Sequence, residues 1–171
     1  MIRIVTGPIG SGKTTHRAIL AAQNRANGSA VLELELDAIA HEVLEEIQGG
    51  EIDRARLAEE VFSNPDKLAA LEAKLHPRVI GIARHKTTTF LAEHPDGVVV
   101  IETPIPLDED EHPWLKGALV TVLDVDRDLR RKRVIARGMM GEQFDLRDKA
   151  QEKYDYSGCT REHRGHADRS R

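Results

Sequence analysis

The residues of this sequence best suited to chemistry form one short stretch near its start, Gly7-Pro8-Ile9-Gly10-Ser11-Gly12-Lys13-Thr14. Gly, four residues, Gly, Lys and Thr is the spacing of a phosphate-binding loop, in which small residues let successive backbone N–H groups point at phosphate oxygens. Lys13 can then reach the β and γ phosphates, and the Thr14 hydroxyl can ligate Mg²⁺. The stretch predicts an ATP site with contacts from Gly7, Gly10, Ser11, Gly12, Lys13, Thr14 and Thr15.

The segments on either side of this loop support the phosphate interpretation. Residues 2–6 have the apolar pattern of a short buried strand, and residues 14–27 that of a helix closed by Gly28. The positive end of that helix would lie under the phosphates and favour an anion there. Because strand, loop and helix occur in the required order, we prefer this interpretation to a glycine-rich turn without a ligand.

Two carboxylates follow predicted strands of the same sheet. Asp37 comes after residues 30–36, and Glu102 ends the uninterrupted apolar run of residues 98–101. Parallel strands end at one edge of a sheet, so both carboxylates should lie near the phosphate loop. Glu102 is a candidate Mg²⁺ ligand, directly or through water. Asp37 is aimed at the nucleotide site, and it is equally suited to capping a helix that starts at Ala38.

Residues 38–97 read as helix, which is more than a plain crossover between strands requires. Apolar periodicity predicts four helices, the third starting at Asn64-Pro65 and broken at His76-Pro77. The fourth runs from about Pro77 to Glu93. This insertion is the natural place to hold a second substrate.

A strongly basic helix follows the fourth predicted strand, residues 118–123, with Asp126 as its cap. Arg133 and Arg137 lie one turn apart, so they share a face that could contact a transferring phosphoryl group. A wholly solvated basic face is the alternative. After residues 138–141, a return helix would complete a lid over the nucleotide. The basic residues are Arg127, Arg130, Arg131, Lys132, Arg133 and Arg137, of which we expect all but Arg133 and Arg137 to be solvated.

Composition limits the classes of function. A length of 171 residues suits one α/β domain, and a net charge of −4 with 4% aromatic residues argues against nucleic-acid binding. Cys159 is the single cysteine, no apolar run is long enough for a membrane span, and the sequence starts with a core strand instead of a signal peptide. We therefore expect a cytoplasmic protein without a membrane partner.

Several segments, taken in order, resemble the dephospho-coenzyme A kinases. The likeness covers about residues 1–151, and the run from Asp53 to Pro77 is far more specific to that family than the phosphate loop. Pro8 stands where the family usually has Gly, and Gly138 where Asp is common. The similar segments are residues 7–15, 37–43, 52–57, 61–65, 75–77 and 102–104, with the lid residues Arg133, Arg137, Arg147 and Gln151.

The resemblance implies phosphoryl transfer from ATP, with Mg²⁺, to the ribose 3′-hydroxyl of dephospho-coenzyme A. In that role Asp37 is the general base. Lys13, Arg133 and Arg137 stabilise the developing charge. Glu102 and Thr14 hold the metal, and the acceptor-binding residues are Asp37, Arg54, His76 and Pro104.

The implied fold class is α/β, a three-layer P-loop kinase fold with a parallel sheet of four recognisable strands. A single domain would span residues 1–156, with a core of residues 1–37 and 98–126, a helical acceptor-binding insertion at 38–97 and a basic helical lid at 127–154. The family's next strand has no apolar counterpart here. We therefore predict that the fifth strand is missing and that the polar residues 157–171 form a disordered tail.

Two other functions remain open from the sequence. One is another P-loop small-molecule kinase, with a nucleoside or deoxynucleoside monophosphate as its acceptor. The other is a nucleotide-binding homologue with little turnover, which the shortened C-terminal end favours. An assay for phosphoryl transfer distinguishes these alternatives.

Overall fold

A computed structural model describes residues 1–48, 64–156 and 160–163, and a parallel sheet runs through its centre. The order of the five strands is β2-β3-β1-β4-β5, and every neighbouring pair is parallel. The four predicted strands are all present. The strands are β1 Ile2–Thr6, β2 Val31–Glu35, β3 Val98–Glu102, β4 Leu119–Asp124 and β5 Thr160–His163.

Five α-helices and one 3₁₀ turn connect the strands within the described residues. None of these helices is both long enough and apolar enough to cross a membrane. Their bounds are α1 Lys13–Ala26, α2 Leu36–Gln48, α3 Pro65–Glu93, the 3₁₀ turn Pro113–Leu115, α4 Arg127–Ile135 and α5 Gly141–Gln151.

Apolar side chains form a core on each face of the sheet. Ile4 and Ile101 pack with Ile39 of α2 and Val79 of α3 on one face. On the other face, a second cluster contains Val5, Val100 and Leu123 with Leu20 of α1. Helices therefore cover both faces in three layers, which explains why every residue of β3 is buried and its sequence is a continuous apolar run.

Helix α3 passes through Pro77 without a break, so the prediction of two helices meeting at His76-Pro77 was wrong. An interior proline removes one backbone hydrogen bond and usually ends or kinks a helix. Here the apolar residues on both sides of Pro77, Leu75 and Val79, pack into the same core cluster. Tertiary packing on either side of the proline outweighs its local preference.

The prediction that the fifth strand is missing was also wrong. Thr160–His163 forms β5, which pairs in parallel with β4 and places Thr160 beside Thr121 and His163 beside Asp124. Its sequence, Thr-Arg-Glu-His, has no apolar residue, so apolar patterning could not indicate it. A disordered tail is therefore wrong for residues 160–163; the rest of residues 157–171 lies outside the described residues.

Candidate active site

The predicted phosphate loop lies between β1 and α1 and depends on two close approaches. Gly7 has φ 139° and Gly10 has φ 78°, which an L side chain rarely adopts. A Cβ on Gly7 would lie 2.8 Å from the carbonyl oxygen of Leu123, and one on Gly10 would lie 2.7 Å from that of Arg130. These glycines let the loop pack directly against β4 and α4, with its backbone shaped around the start of α1.

Lys13 is the first residue of α1, and its ammonium group lies over the loop. Its Nζ donates to the carbonyl oxygens of Gly7, at 2.8 Å, and Pro8, at 3.1 Å. Burial lowers the pKa of Lys13, while the nearby charges of Asp37 and Glu102 oppose that shift. Lys13 is thus a cation inside the predicted phosphate site with carboxylates on its other side.

Thr14 and Glu102 are brought together as predicted. The Thr14 hydroxyl donates to Oε1 of Glu102 at 2.8 Å. Glu102 is buried, and burial raises the pKa of its carboxyl, opposed by the hydrogen bond from Thr14 and by Arg17. Arg17 Nη1 lies 3.3 Å from Glu102 Oε2 and 2.9 Å from Glu35 Oε2, so α1 also orients this carboxylate.

This pair of oxygen donors fits Mg²⁺. A hydroxyl and a carboxylate are hard ligands of the kind that Mg²⁺ prefers. Glu102 Oε2 is buried and accepts no hydrogen bond from the described part of the chain, which leaves a lone pair for a cation or its water. Within residues 1–48, 64–156 and 160–163, no group of three His, Cys, Asp or Glu residues could hold a metal by itself. The phosphates of ATP would therefore have to complete the coordination shell.

Asp37 lies where β2 gives way to α2, beside the loop lysine. The structure starts α2 at Leu36, so Asp37 lies in the first turn of the helix and the alternative of an N-cap at Asp37 was wrong. Its side chain is open to solvent but surrounded by protein on its other sides. This partial burial raises the pKa of Asp37, whereas Lys13 and Arg147 lower it. Asp37, Lys13 and Arg147 thus converge from three parts of the chain.

The two predicted lid arginines differ in position. Arg133 is on α4, and its Nη1 lies 4.0 Å from the place of a Cβ on Gly12, directly over the phosphate loop. Helix α4 ends at Ile135, so Arg137 follows it in a turn, where its N–H donates to the Val134 carbonyl. Both side chains are exposed. Arg133 therefore has a defined approach to the nucleotide site, and Arg137 lies at the edge of the lid.

Arg130 was predicted to be solvated, and that prediction was wrong. It is 8% exposed and forms a 2.5 Å ion pair with Asp148 of α5, which is 7% exposed. Its guanidinium also donates to the carbonyl oxygens of Val125 and Ile9, each at 3.1 Å. The charge pattern of α4 could not reveal this, because the partner Asp148 comes from another helix.

The predicted acceptor residues are only partly described. His76 is half-buried on α3, and burial lowers its pKa although Glu72 opposes the shift. The Pro104 carbonyl accepts a 2.7 Å hydrogen bond from the Tyr156 hydroxyl. Arg54 lies outside the described residues. His76 thus lies on α3, and Pro104 lies in the loop after β3.

Residues just after α5 contact α3 and the loop after β3, although the sequence assigned them no individual role and placed Lys153 and Tyr154 only at the end of the lid. Lys153 pairs with Glu72 of α3 at 2.6 Å. Burial, followed by the charge of Glu72, raises the pKa of Tyr154, whose hydroxyl also lies near enough to Asp37 to sense its charge. No local signal marks these residues, since their contacts are long-range. In this part of the chain only Gln151, the last residue of α5, had a signal in the sequence, because it matches the lid segment of the family.

Fold and site together define a P-loop kinase. A phosphate-loop sequence follows the first strand of a parallel sheet, a hydroxyl contacts a carboxylate beside it, a second carboxylate interacts with the loop lysine, and an arginine lies over the loop. The family model for CoaE, dephospho-CoA kinase, matches residues 1–155. A dephospho-CoA kinase of Thermus thermophilus is 35% identical over 158 residues, covering 86% of this chain and 73% of the relative.

Two further comparisons agree. The dephospho-CoA kinase of Thermobifida fusca is 36% identical and covers 86% of this chain and 77% of the relative. The crystal structure of TT1252 from Thermus thermophilus superposes with a TM-score of 0.57 and 33% identity, over 90% of this chain and 82% of that one. The chain belongs to the dephospho-CoA kinase family. It is accordingly a kinase, and ATP-dependent phosphorylation of dephospho-CoA, a step in coenzyme A synthesis, is the activity of that family.

Proposed function

We propose that this chain transfers the γ-phosphoryl group of ATP to the ribose 3′-hydroxyl of dephospho-CoA, giving coenzyme A and ADP, with Asp37 as the general base. The observation that supports this proposal is the grouping of Lys13, Asp37 and Glu102. They follow or end β1, β2 and β3, three neighbouring strands, and their charges interact. A phosphoryl donor and a hydroxyl acceptor can thus meet between a cation and a carboxylate.

The phosphates of ATP would lie in the loop, against its N–H groups and the positive end of α1. To contact them, Lys13 exchanges its bonds to the Gly7 and Pro8 carbonyls for bonds to phosphate oxygens. Arg133, already over Gly12, adds a planar donor on the other side. Charge on the transferring group is thereby stabilised by groups fixed before the reaction.

Thr14 and Glu102 would hold Mg²⁺ at the phosphates, where it supplies charge neutralisation. The 2.8 Å contact of their side chains supports this assignment, because it places a hydroxyl oxygen and a carboxylate oxygen next to each other beside the phosphate loop. Arg17 keeps the Glu102 carboxylate turned towards α1.

Replacing Glu102 with Gln tests the metal assignment. Glu102→Gln keeps the size and an oxygen atom but removes the charge, so the Mg²⁺ concentration for half-maximal activity should rise about tenfold, a typical loss for a change at a metal site. The measurement is initial rate against Mg²⁺ at saturating ATP. Glu33→Gln, another carboxylate beside Arg17, is the control and should leave this concentration unchanged. An unaltered Mg²⁺ requirement in Glu102→Gln would remove Glu102 from the metal site.

Asp37 would accept the proton of the 3′-hydroxyl as its oxygen attacks the γ phosphorus. The carboxylate suits this role because it is accessible to a substrate and has a pKa raised by the surrounding protein, which makes it a better base than an ordinary aspartate. The charge of Lys13 opposes that rise in the pKa of Asp37. Arg54, His76 and Pro104 would bind the rest of the acceptor, in the insertion at 38–97 and the loop after β3.

Arg137 is expected to act in a closed state of the lid at 127–154. Arg137→Ala should lower kcat more than it raises the KM for dephospho-CoA, since a contact made only as charge develops affects kcat. Lys132→Ala removes an exposed cation from the same lid and is the matched control. Equal losses in both variants would favour a generic basic surface.

A coupled assay for ADP release determines which acceptor is phosphorylated. The chain is incubated with ATP, Mg²⁺ and either dephospho-CoA or a panel of nucleoside and deoxynucleoside monophosphates, and the product is identified by mass spectrometry. Phosphorylated dephospho-CoA is expected. A faster reaction with a monophosphate would replace the acceptor, and ATP binding without transfer to any acceptor would leave a nucleotide-binding homologue.

A further inference from the structure

Ile9, at the apex of the phosphate loop, has both of its backbone polar groups bound to the lid helices. Its N–H donates to Oε1 of Gln151 at 2.7 Å. Its carbonyl accepts from Nη1 of Arg130 at 3.1 Å. Pro8 has no N–H, and its carbonyl accepts from Lys13 and Ser11 within the loop region itself. Gln151 and Arg130 are therefore contacts that tie this side of the loop to the lid helices.

The group that holds the Ile9 carbonyl is itself immobilised. Arg130 and Asp148 form a buried ion pair between α4 and α5, and Arg127 Nε binds the second oxygen of Asp148 at 2.8 Å. The guanidinium carbons of Arg127 and Arg130 lie 5.3 and 5.7 Å from the ring centre of Phe144, which is fully buried. Helices α4 and α5 therefore pack as one unit around three charged side chains and an aromatic ring.

The same unit carries Arg133. Arg130 and Arg133 are three residues apart on α4, so contacts that fix Arg130 against Ile9 also fix the part of the helix from which Arg133 reaches towards Gly12. Gln151 ends α5 and supplies a second attachment point on the loop. Contacts within the protein thus position the phosphate loop relative to the part of α4 that carries Arg133.

We infer that Gln151 and the buried Arg130–Asp148 pair are positioning residues, which hold the apex of the phosphate loop at Ile9 and set the place of Arg133 above it. The catalytic consequence rests on the proposed function; the effect on nucleotide binding does not. A displacement of the loop by about 1 Å is enough to cost on the order of 10²-fold in rate, so a few hydrogen bonds to its backbone have a large effect.

Gln151→Met removes the acceptor oxygen while keeping the length and volume of the side chain. The dissociation constant for ADP should rise about tenfold, the scale of one hydrogen bond whose donor is left unsatisfied, and kcat should fall with it. The melting temperature should fall by only about 2–4 °C, the scale of one lost hydrogen bond in a chain of this length. ADP is titrated by isothermal calorimetry, and kcat is measured with dephospho-CoA.

A double variant separates positioning from stability. Arg130→Met with Asp148→Leu replaces a buried ion pair by apolar side chains of similar size, a change that often leaves stability unaltered or raised. It also removes the bond to the Ile9 carbonyl. We expect a parent-like free energy of unfolding in urea, with ADP affinity and kcat each about tenfold lower.

The control is Asp145→Asn, which breaks the ion pairs of Asp145 with Arg127 and Arg131 across the same helix pair but touches no loop residue. It should leave ADP affinity unchanged. ADP affinity within twofold of the parent in both test variants, corrected for the folded fraction, would overturn the inference. A parent that binds ADP but phosphorylates no acceptor would overturn the proposed function instead, and the ADP titrations would still decide this inference.

Discussion

Lys13→Ala is expected to lower kcat by about 10³-fold or more, the scale of losing a cation that stabilises a transferring phosphoryl group. Lys13 Nζ is already inside the loop, 2.8 Å from the Gly7 carbonyl, so no other described lysine can replace it from this position. The loss should appear in kcat with dephospho-CoA at saturating ATP, because the contact strengthens as charge moves to the leaving oxygen.

The fold should survive this substitution. Burial lowers the pKa of Lys13, which means that its charged form costs free energy of folding at neutral pH. Removing it should leave the melting temperature unchanged or slightly raised. Lys67→Ala, at an exposed position on α3, is the control for loss of a lysine. Turnover of Lys13→Ala above a tenth of the parent, with unchanged melting, would remove Lys13 from the mechanism.

Asp37→Asn should reduce turnover by roughly 10²-fold or more, the usual scale for a lost general base. Size and shape are kept, but an amide cannot accept the proton of the 3′-hydroxyl. ADP affinity should remain within a few-fold of the parent, because the proposed partner of Asp37 is the hydroxyl acceptor and not the phosphates of the nucleotide. ADP affinity measured by calorimetry should therefore be nearly unchanged, whereas turnover in the coupled assay should fall.

A matched control is available at the start of α3. Asp66 occupies the first turn of that helix, as Asp37 does in α2, so Asp66→Asn loses the same favourable interaction with the helix N-terminus. Asp66→Asn should lose about 0.3–1 kcal/mol of stability. Asp37→Asn should lose no more than that, because burial raises the pKa of Asp37 and already makes its charged form less favourable in the folded state. Only Asp37→Asn should lose activity. Equal turnover in Asp37→Asn and the parent would contradict the role of Asp37 as base.

The sequence predicted best those features of the structure that depend on local patterns of residue type and spacing. The glycines and Lys13 identify the loop because its backbone shape requires those residue types, and β3 is readable because a strand covered on both faces must be apolar throughout. The approach of Thr14 to Glu102 also follows, since both lie at the same edge of a parallel sheet.

Features that depend on contacts between residues far apart in the sequence could not be predicted from it. Pro77 stays inside a helix because the core holds both sides of it, and β5 exists through backbone pairing with β4. Arg130 looked like one of several solvated cations until Asp148 of α5 was found beside it. In each case tertiary contact overrides the local preference from which the prediction was made.

The pairing of β1 has a consequence for folding. Ile2 pairs with Val99 and Arg3 with Leu119, so the first strand finds both neighbours in the second half of the chain. Such non-local parallel pairing forms slowly, because the intervening chain must be ordered first. The loop after β1 packs on Leu123 and Arg130, so it reaches its final shape only when β4 and α4 are in place. On the proposed role of this loop, ATP binds only the fully folded chain and stabilises it by mass action, so the stability of this enzyme would depend on the nucleotide concentration around it.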